Sequence, residues 1–314
     1  MPIGKLQDLI IDVATWQADD LYASYPEGAR SKDAYFPPED VVHTFIDKNR
    51  RYLYKRSNKK YPDQLWGEVV AYHVGCLLGV TVPPAFVAKN DAEGDCAALI
   101  EWFYEDGKAI FTPGGSFMQA LIPEFDRKRG ELHNFHTVQT LGRAFSMFRS
   151  SKDNWQEKWA EAFLFDALIG NTDRHQDNWG YLAVKRNDTL LSSFAPLFDN
   201  GTSLGHERFP EHILRWKEVD YERYVDKGTH HIRWQKEDLK GCGHIEILLK
   251  IIQLQPLLRK FMYEKIANFD EVALGQVLDF LCTLPLTVAL TQPRKNLYIK
   301  LIEIRKQKIM AALR

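Results

Sequence analysis

The chain has 314 residues, 45% hydrophobic and 26% charged, with 41 basic and 42 acidic side chains and a net charge of −1. That size supports one large domain or two lobes with a real core, and the balanced charge excludes a global bias toward nucleic acid or anionic membrane. Cys76, Cys96, Cys242 and Cys282 form no C-x-x-C pair and read as reduced, mostly buried thiols of a cytosolic protein. The N-terminus shows no basic start followed by an apolar run, so no Sec-type signal is expected. The most apolar stretch, near residues 76–88, is broken by Pro83-Pro84 and is too short to span a bilayer.

In chain order, residues 9–13 form a short helix or a strand. Gly28-Ala29-Arg30-Ser31-Lys32-Asp33 is a small basic loop. A glycine, a hydroxyl and two cations this close together suit contact with phosphate through backbone N–H groups and side chains; a solvated turn is the alternative. Residues 41–45 and 52–55 read as strands around a turn at 47–49. A period of two puts Leu53 and Lys55 on one face of the second strand and Tyr52 and Tyr54 on the other. A lysine on the inner face of a strand is how kinases hold ATP phosphates. The segment 47–60 carries seven basic residues and one acid, a solvated basic edge in the plainest reading. No stacking platform accompanies it, so no direct nucleic-acid contact is expected.

Residues 62–78 predict a helix with an apolar stripe through Trp66, Val69, Val70, His73, Val74 and Leu77, ended by Gly79. Glu68 flanks the stripe, thirteen residues after Lys55. It either pairs with Lys55 or faces water. Residues 85–89 and 96–104 predict a β-hairpin. The end of its second strand, Glu101-Trp102-Phe103, is where backbone groups would meet an adenine if the chain crosses between lobes there. From about residue 115 the texture is helical. His133 and His136 have metal-like H-x-x-H spacing but no third ligand nearby, and the group His230, His231, Cys242 and His244 fits no familiar zinc pattern, so zinc is not expected at either.

Residues 154–168 predict a long helix that delivers Asp173 into a polar loop reading D-x-x-x-x-N from Asp173 to Asn178. A hairpin follows, and then Asp199-x-Gly201, 26 residues after Asp173. The order of helix, acidic loop, hairpin and D-x-G is that of a kinase. Asp173 is the candidate base for an attacking hydroxyl, and Asn178 and Asp199 are hard oxygen donors suited to Mg²⁺. His175 or Arg174 is placed to stabilise developing charge, and Gly201 to let the chain turn tightly. A set of loop caps, or a hydrolase with Asp173 and Asp199 as metal ligands, uses the same residues. Residues 202–233 read as irregular substrate-binding loops. Four helices are expected beyond residue 245, the last, about 294–313, with a basic face that is either solvated or a docking surface for an acidic partner.

These motifs resemble the HipA-like kinases of bacterial toxin–antitoxin systems and related effector kinases. The matching pieces are GARSK at 28–32, YLYK at 52–55, IGNTDRHQDNWGYL at 169–182 and APLFDNGTSL at 195–204. The resemblance implies an α+β, bilobed protein kinase-like fold, with a β-rich N-lobe over residues 1–104 and a mainly helical C-lobe over 105–314. It implies ATP and Mg²⁺ as cofactors and a Ser or Thr of a protein as acceptor. Carried over residue by residue, Asp173 resembles the catalytic base, Asn178 and Asp199 the metal ligands, Lys55 the ATP lysine, and residues 28–32 the phosphate loop, with Ser31 as candidate autophosphorylation site. An antitoxin or an N-subdomain-like protein is the implied partner, and the bacterial cytoplasm or a host cell the implied location. The D-R-H and D-x-G pair is also similar to phosphoinositide kinases, so a lipid acceptor stays open.

Overall fold

The computed structural model describes residues 4–20, 31–147, 153–186 and 189–314. The chain divides into two compact units that interleave in sequence. The first holds Met1–Phe103, Asn200–Arg215 and Asp270–Ile299; the second holds Tyr104–Asp199, Trp216–Phe269 and Lys300–Arg314. The linear division at residue 104 therefore follows the units only as far as Asp199.

The first unit is built on a six-stranded sheet in the order β1-β5-β6-β4-β3-β2. Its strands are β1 (Ile11–Asp12), β2 (Gln17–Ala18), β3 (Lys32–Phe36), β4 (Tyr52–Arg56), β5 (Ala85–Asn90) and β6 (Asp95–Glu101). Only β1 and β5 run parallel. Tyr52 and Tyr54 point to one face of β4 and join Ile11, Val13, Trp16, Tyr35, Phe45, Phe86 and Leu99 in a closed apolar cluster. Burying each aromatic there contributes roughly 1.5–3 kcal/mol. Strand alternation then sends Lys55 to the opposite face.

One expectation fails here and another holds only in part. Residues 41–45 form no strand; β4 pairs instead with β3, which begins at Lys32, and with β6. Phe45 is buried in the core without any sheet bonding, so its apolar character reported packing and not pairing. The segment 47–60 is a solvated edge only in part: Lys48, Lys59 and Lys60 are exposed. Arg51 and Lys55 are buried, and Arg56 is bonded by Asp33, Glu93 and Asp95.

Helix α1 (Gln64–Leu78) packs on β5 and β6. Fourteen of its fifteen residues are buried, so it is a core helix and not one with a single wet face. Gly79 closes it in the left-handed conformation (φ 69°).

The second unit is mainly helical. It carries a three-stranded sheet of β7 (Ala109–Pro113), β8 (Gly180–Arg186) and β9 (Thr189–Phe194), in that order. Strand β7 lies in a stretch for which the sequence predicts no element. Helices α2 (Gly114–Leu121) and α3 (Phe135–Met147) lead to α4 (Trp155–Ile169), capped by the Asn154 side chain on the Gln156 N–H and ended by Gly170 at φ 66°. Phe135, Trp159, Phe163 and Trp179 interlock around α4 at ring separations of 5.0–5.5 Å.

Residues 202–233, read as irregular, contain α5 (Pro210–Ile213) and α6 (Glu218–Asp226). The four later helices are α7 (His244–Leu254), α8 (Leu257–Ala267), α9 (Glu271–Leu281) and α10 (Gln292–Leu313). The bases of α10 are engaged internally. Arg294 holds Asp63 at 2.7 Å, Lys300 holds Glu218, and Lys308 holds Asp226. These contacts engage much of the basic face that the sequence reads as either solvated or a docking surface.

Candidate active site

In the first unit, Lys55 sits 3% exposed on β4 and donates to Glu68 Oε1 of α1 at 2.8 Å. Glu68 is equally buried, which decides against the water-facing alternative. Its second oxygen accepts the backbone N–H of Asn200 at 2.9 Å. One buried carboxylate thus ties the strand lysine to the peptide that follows Asp199. Gly67 makes this approach feasible, since a Cβ there would stand 3.1 Å from the Gly201 carbonyl oxygen.

Gly28, Ala29 and Arg30 lie outside the described residues. Ser31 is exposed at the entrance to β3, and its carbonyl accepts the Arg56 N–H at 3.1 Å. Lys32 opens β3 directly opposite Lys55 in the register, so two ammonium side chains share one face. Like charges in that position repel. Glu68 supplies a carboxylate that offsets the charge of Lys55.

At the end of β6, the N–H groups of Glu101 and Trp102 donate to Pro84 and Arg51 carbonyls at 2.8 Å each. An adenine contact at these two residues would therefore use their carbonyl oxygens or side chains. The Glu101 carboxylate holds Lys5 at 2.6 Å, and the Trp102 ring packs under Arg51 at 4.2 Å; Phe103 is half-buried.

The second unit carries the acidic loop and the residues that shape it. α4 ends in a buried carboxylate, Asp166, which receives Arg174 Nη2 at 2.7 Å, Arg174 Nε at 3.0 Å, Asn171 Nδ2 at 3.2 Å and His230 Nε2 at 3.0 Å. Burial alone would push Asp166 up, but the Arg174 charge and the hydrogen bonds from His230 and Arg174 outweigh it and hold it at about 2. Asn171 Oδ1 accepts the Asp173 N–H at 2.9 Å, and His244 Nε2 meets the Asn171 carbonyl at 2.9 Å. Arg174 Nη1 donates to the Asn178 carbonyl at 3.1 Å and to the Phe198 carbonyl. Arg174, one of two candidates for stabilising developing charge, is therefore consumed in holding the loop.

Asp173 and His175 are half-buried, and Asn178 is 3% exposed. Asn178 Nδ2 donates to the Asp173 carbonyl at 2.8 Å. That bond settles which end of the amide is which and leaves Oδ1 as the group for a cation. His175 Nδ1 accepts the Asp177 N–H at 3.2 Å, so Nε2 carries the proton of its neutral ring. Asp199 stands in the left-handed region at φ 56°. Gly201, expected to make that turn, is not among the positive-φ glycines. The strained residue is the aspartate itself, a conformation concentrated at functional sites.

The histidines weighed as metal ligands have other partners. Trp179 Nε1 donates to His133 Nε2 at 3.1 Å, and His133 Nδ1 lies 3.4 Å from His231 Nδ1. Burial lowers His133 well below the usual range, and lowers His231 and His244 to about 4. Sequence reasoning gave no role to Asp166, the one acid in the apolar second half of α4, after Glu157 and Glu161. Its position one turn before the loop was the available signal.

A family model described as the HipA-like C-terminal domain matches residues 26–244. The chain belongs to that family. Among solved structures, the HipA-like chain is similar to the Helicobacter pylori proinflammatory kinase CtkA. The TM-score is 0.73 at 16% identity, covering 97% of this chain and 96% of the other. It is also similar to a chain from the Shewanella oneidensis toxin–antitoxin complex of HipA, HipB and operator DNA. There the TM-score is 0.49 at 13% identity, covering 94% of this chain and 65% of the other. No curated protein matches. The α+β kinase-like fold expected of a HipA-like chain is the one observed.

Proposed function

We propose that this HipA-like chain is an ATP- and Mg²⁺-dependent kinase that phosphorylates a Ser or Thr of a protein. The observation that carries the reading is the buried Lys55–Glu68 pair, whose carboxylate also holds the amide next to Asp199. A lysine and a glutamate are seldom buried without a task that needs a fixed charge. Family membership supports a kinase-type function in general; the acceptor class and the cofactors belong to the proposal.

The donor set fits the cation. Among the described residues no group of three or more His, Cys, Asp or Glu side chains could hold a metal ion. Mg²⁺ in kinases needs fewer protein ligands than that, because phosphate oxygens and water complete its shell. Asn178 Oδ1 and the Asp199 carboxylate are its protein ligands in this reading. Bound Mg²⁺·ATP supplies the phosphoryl group and neutralises its charge. Lys55 holds phosphate oxygens, aided by Lys32 and the 28–32 loop. Asp173 accepts the proton of the acceptor hydroxyl, and the half-buried His175 offers its Nε2 proton to developing charge. Exposed Ser31 is a candidate for self-phosphorylation. An antitoxin-like partner protein, which the family resemblance implies, belongs to the same proposal. No described helix is long and apolar enough to cross a membrane.

Labelled ATP with Mg²⁺ and either a protein lysate or phosphoinositide vesicles tests the acceptor. Label in protein, lost in Asp173→Ala and Asp199→Ala, is expected. Label in lipid alone would transfer the same residues to a lipid kinase, and undiminished transfer by both variants would sink the assignment of the base and metal ligand.

A further inference from the structure

Asp166 is not among the residues expected to touch substrate or cofactor, yet it is completely buried and its bonds to Arg174 and Asn171 run into the active loop. Its two oxygens fix Arg174 from both Nε and Nη2, as a bidentate fork. A planar guanidinium held on that edge must aim its remaining nitrogen in one direction. That nitrogen, Nη1, donates to the carbonyls of Asn178 and Phe198. The first belongs to one candidate metal ligand, and the second immediately precedes the other, Asp199. Through Asn171 the same carboxylate also fixes the N–H of Asp173. Asn171 and His230 complete its coordination, so no lone pair is left to bind elsewhere.

We propose that Asp166 is a positioning residue that sets the spacing between Asn178 and Asp199 through Arg174. All these atoms lie in the second unit. A buried ion pair adds little net stability compared with apolar packing of the same volume. What it does supply is geometry, since two chain segments 20 residues apart, at 178 and 198, share one donor nitrogen. The proposal rests on the kinase reading for the role of Asn178 and Asp199, while the fixing of the loop does not.

The test uses the full chain as Asp166→Asn, which keeps the shape and removes the charge, and as Arg174→Lys, which keeps the charge and removes the fork. Folding is checked by circular dichroism. Hydrogen exchange is read at the Asp173 and Asn178 amides without nucleotide. Mn²⁺ binding is followed by electron paramagnetic resonance with a non-hydrolysable ATP analogue. In both variants exchange is expected to quicken at least tenfold, and half-saturating Mn²⁺ to rise at least tenfold. Looser exchange with an unchanged metal requirement would show a merely structural role and overturn the proposal, as would wild-type behaviour in both readouts. If Asp166→Asn does not fold, Arg174→Lys decides. A wild-type protein that binds no Mn²⁺ with the analogue sinks the kinase reading and the positioning role together. Wild-type affinity that survives in the variants sinks the positioning role alone.

Discussion

Backbone strain sits at Asp199 and a buried charge at Glu68, and each gives a prediction for one residue. Asp199 stands at φ 56°, where a residue with a Cβ costs more than glycine by about 1–2 kcal/mol. Asp199→Ala and Asp199→Gly both remove the carboxylate, so their difference isolates the backbone. Asp199→Gly is expected to be the more stable by about 1 kcal/mol in urea denaturation, with phosphotransfer absent in both. Equal stabilities would remove the argument that strain is held there. Glu68 is the second case. Glu68→Ala takes the carboxylate from a lysine that is 3% exposed, and a destabilisation of about 3 kcal/mol or more is expected. A change under about 0.5 kcal/mol would be the behaviour of a surface glutamate. Sequence order offered the pair but left it even with an exposed glutamate. α1 packs against β5, β6 and α9, and Glu68 accepts the Asn200 N–H, so its surroundings come from segments outside its own helix.

At the scale of elements, α1 is where local preference and tertiary need conflict. Gly67 and Gly75 weaken a helix by about 1 kcal/mol each relative to alanine. At Gly67 an added Cβ would press on the Gly201 backbone at 3.1 Å, and backbone gives way less easily than a flexible side chain. Gly67→Ala is therefore expected to lower the melting temperature despite better helix propensity, and to slow phosphotransfer by shifting the peptide after Asp199. A higher melting temperature with full activity would mean that the approach is loose. The helices α1, α4 and α7 to α10 were legible because apolar spacing, Asn154 as cap and glycines past the ends are local signals. Strands β3 and β7 were not, for lack of such signals: Lys-Asp-Ala-Tyr-Phe has no clean alternation, and Ala-Ile-Phe-Thr-Pro is short and ends in a proline.

For the whole molecule, acid sensitivity is the clearest expectation. His231 and His244 are lowered to about 4 from 6.5, and His133 further, with burial as the leading cause in each. Unfolding returns these rings to their ordinary values. Below about pH 6.5 the unfolded chain therefore binds protons that the folded chain refuses, and stability falls with pH down to about 4. Each of His231 and His244 contributes on the order of 3 kcal/mol when the loss is fully expressed. Asp166, at about 2 instead of 3.8, adds a loss only below about pH 4. Melting temperatures recorded from pH 7.5 to 4.5 should fall steadily, and hydrogen exchange should open first in the second unit, where all four groups lie. A flat profile down to pH 5 would contradict this. The sequence by itself pointed to the family, the α+β class and most of the helices, and offered Asp173, Asn178, Asp199 and Lys55 as the candidate site, because each is carried by short-range spacing and residue chemistry. Only the tertiary structure decided that Glu68 is paired, that Arg174 is a clasp anchored on Asp166, that Asp199 and not Gly201 takes the left-handed turn, and that the bases of α10 are already engaged. Those outcomes depend on which distant segments exclude water from a side chain, and no local pattern records that.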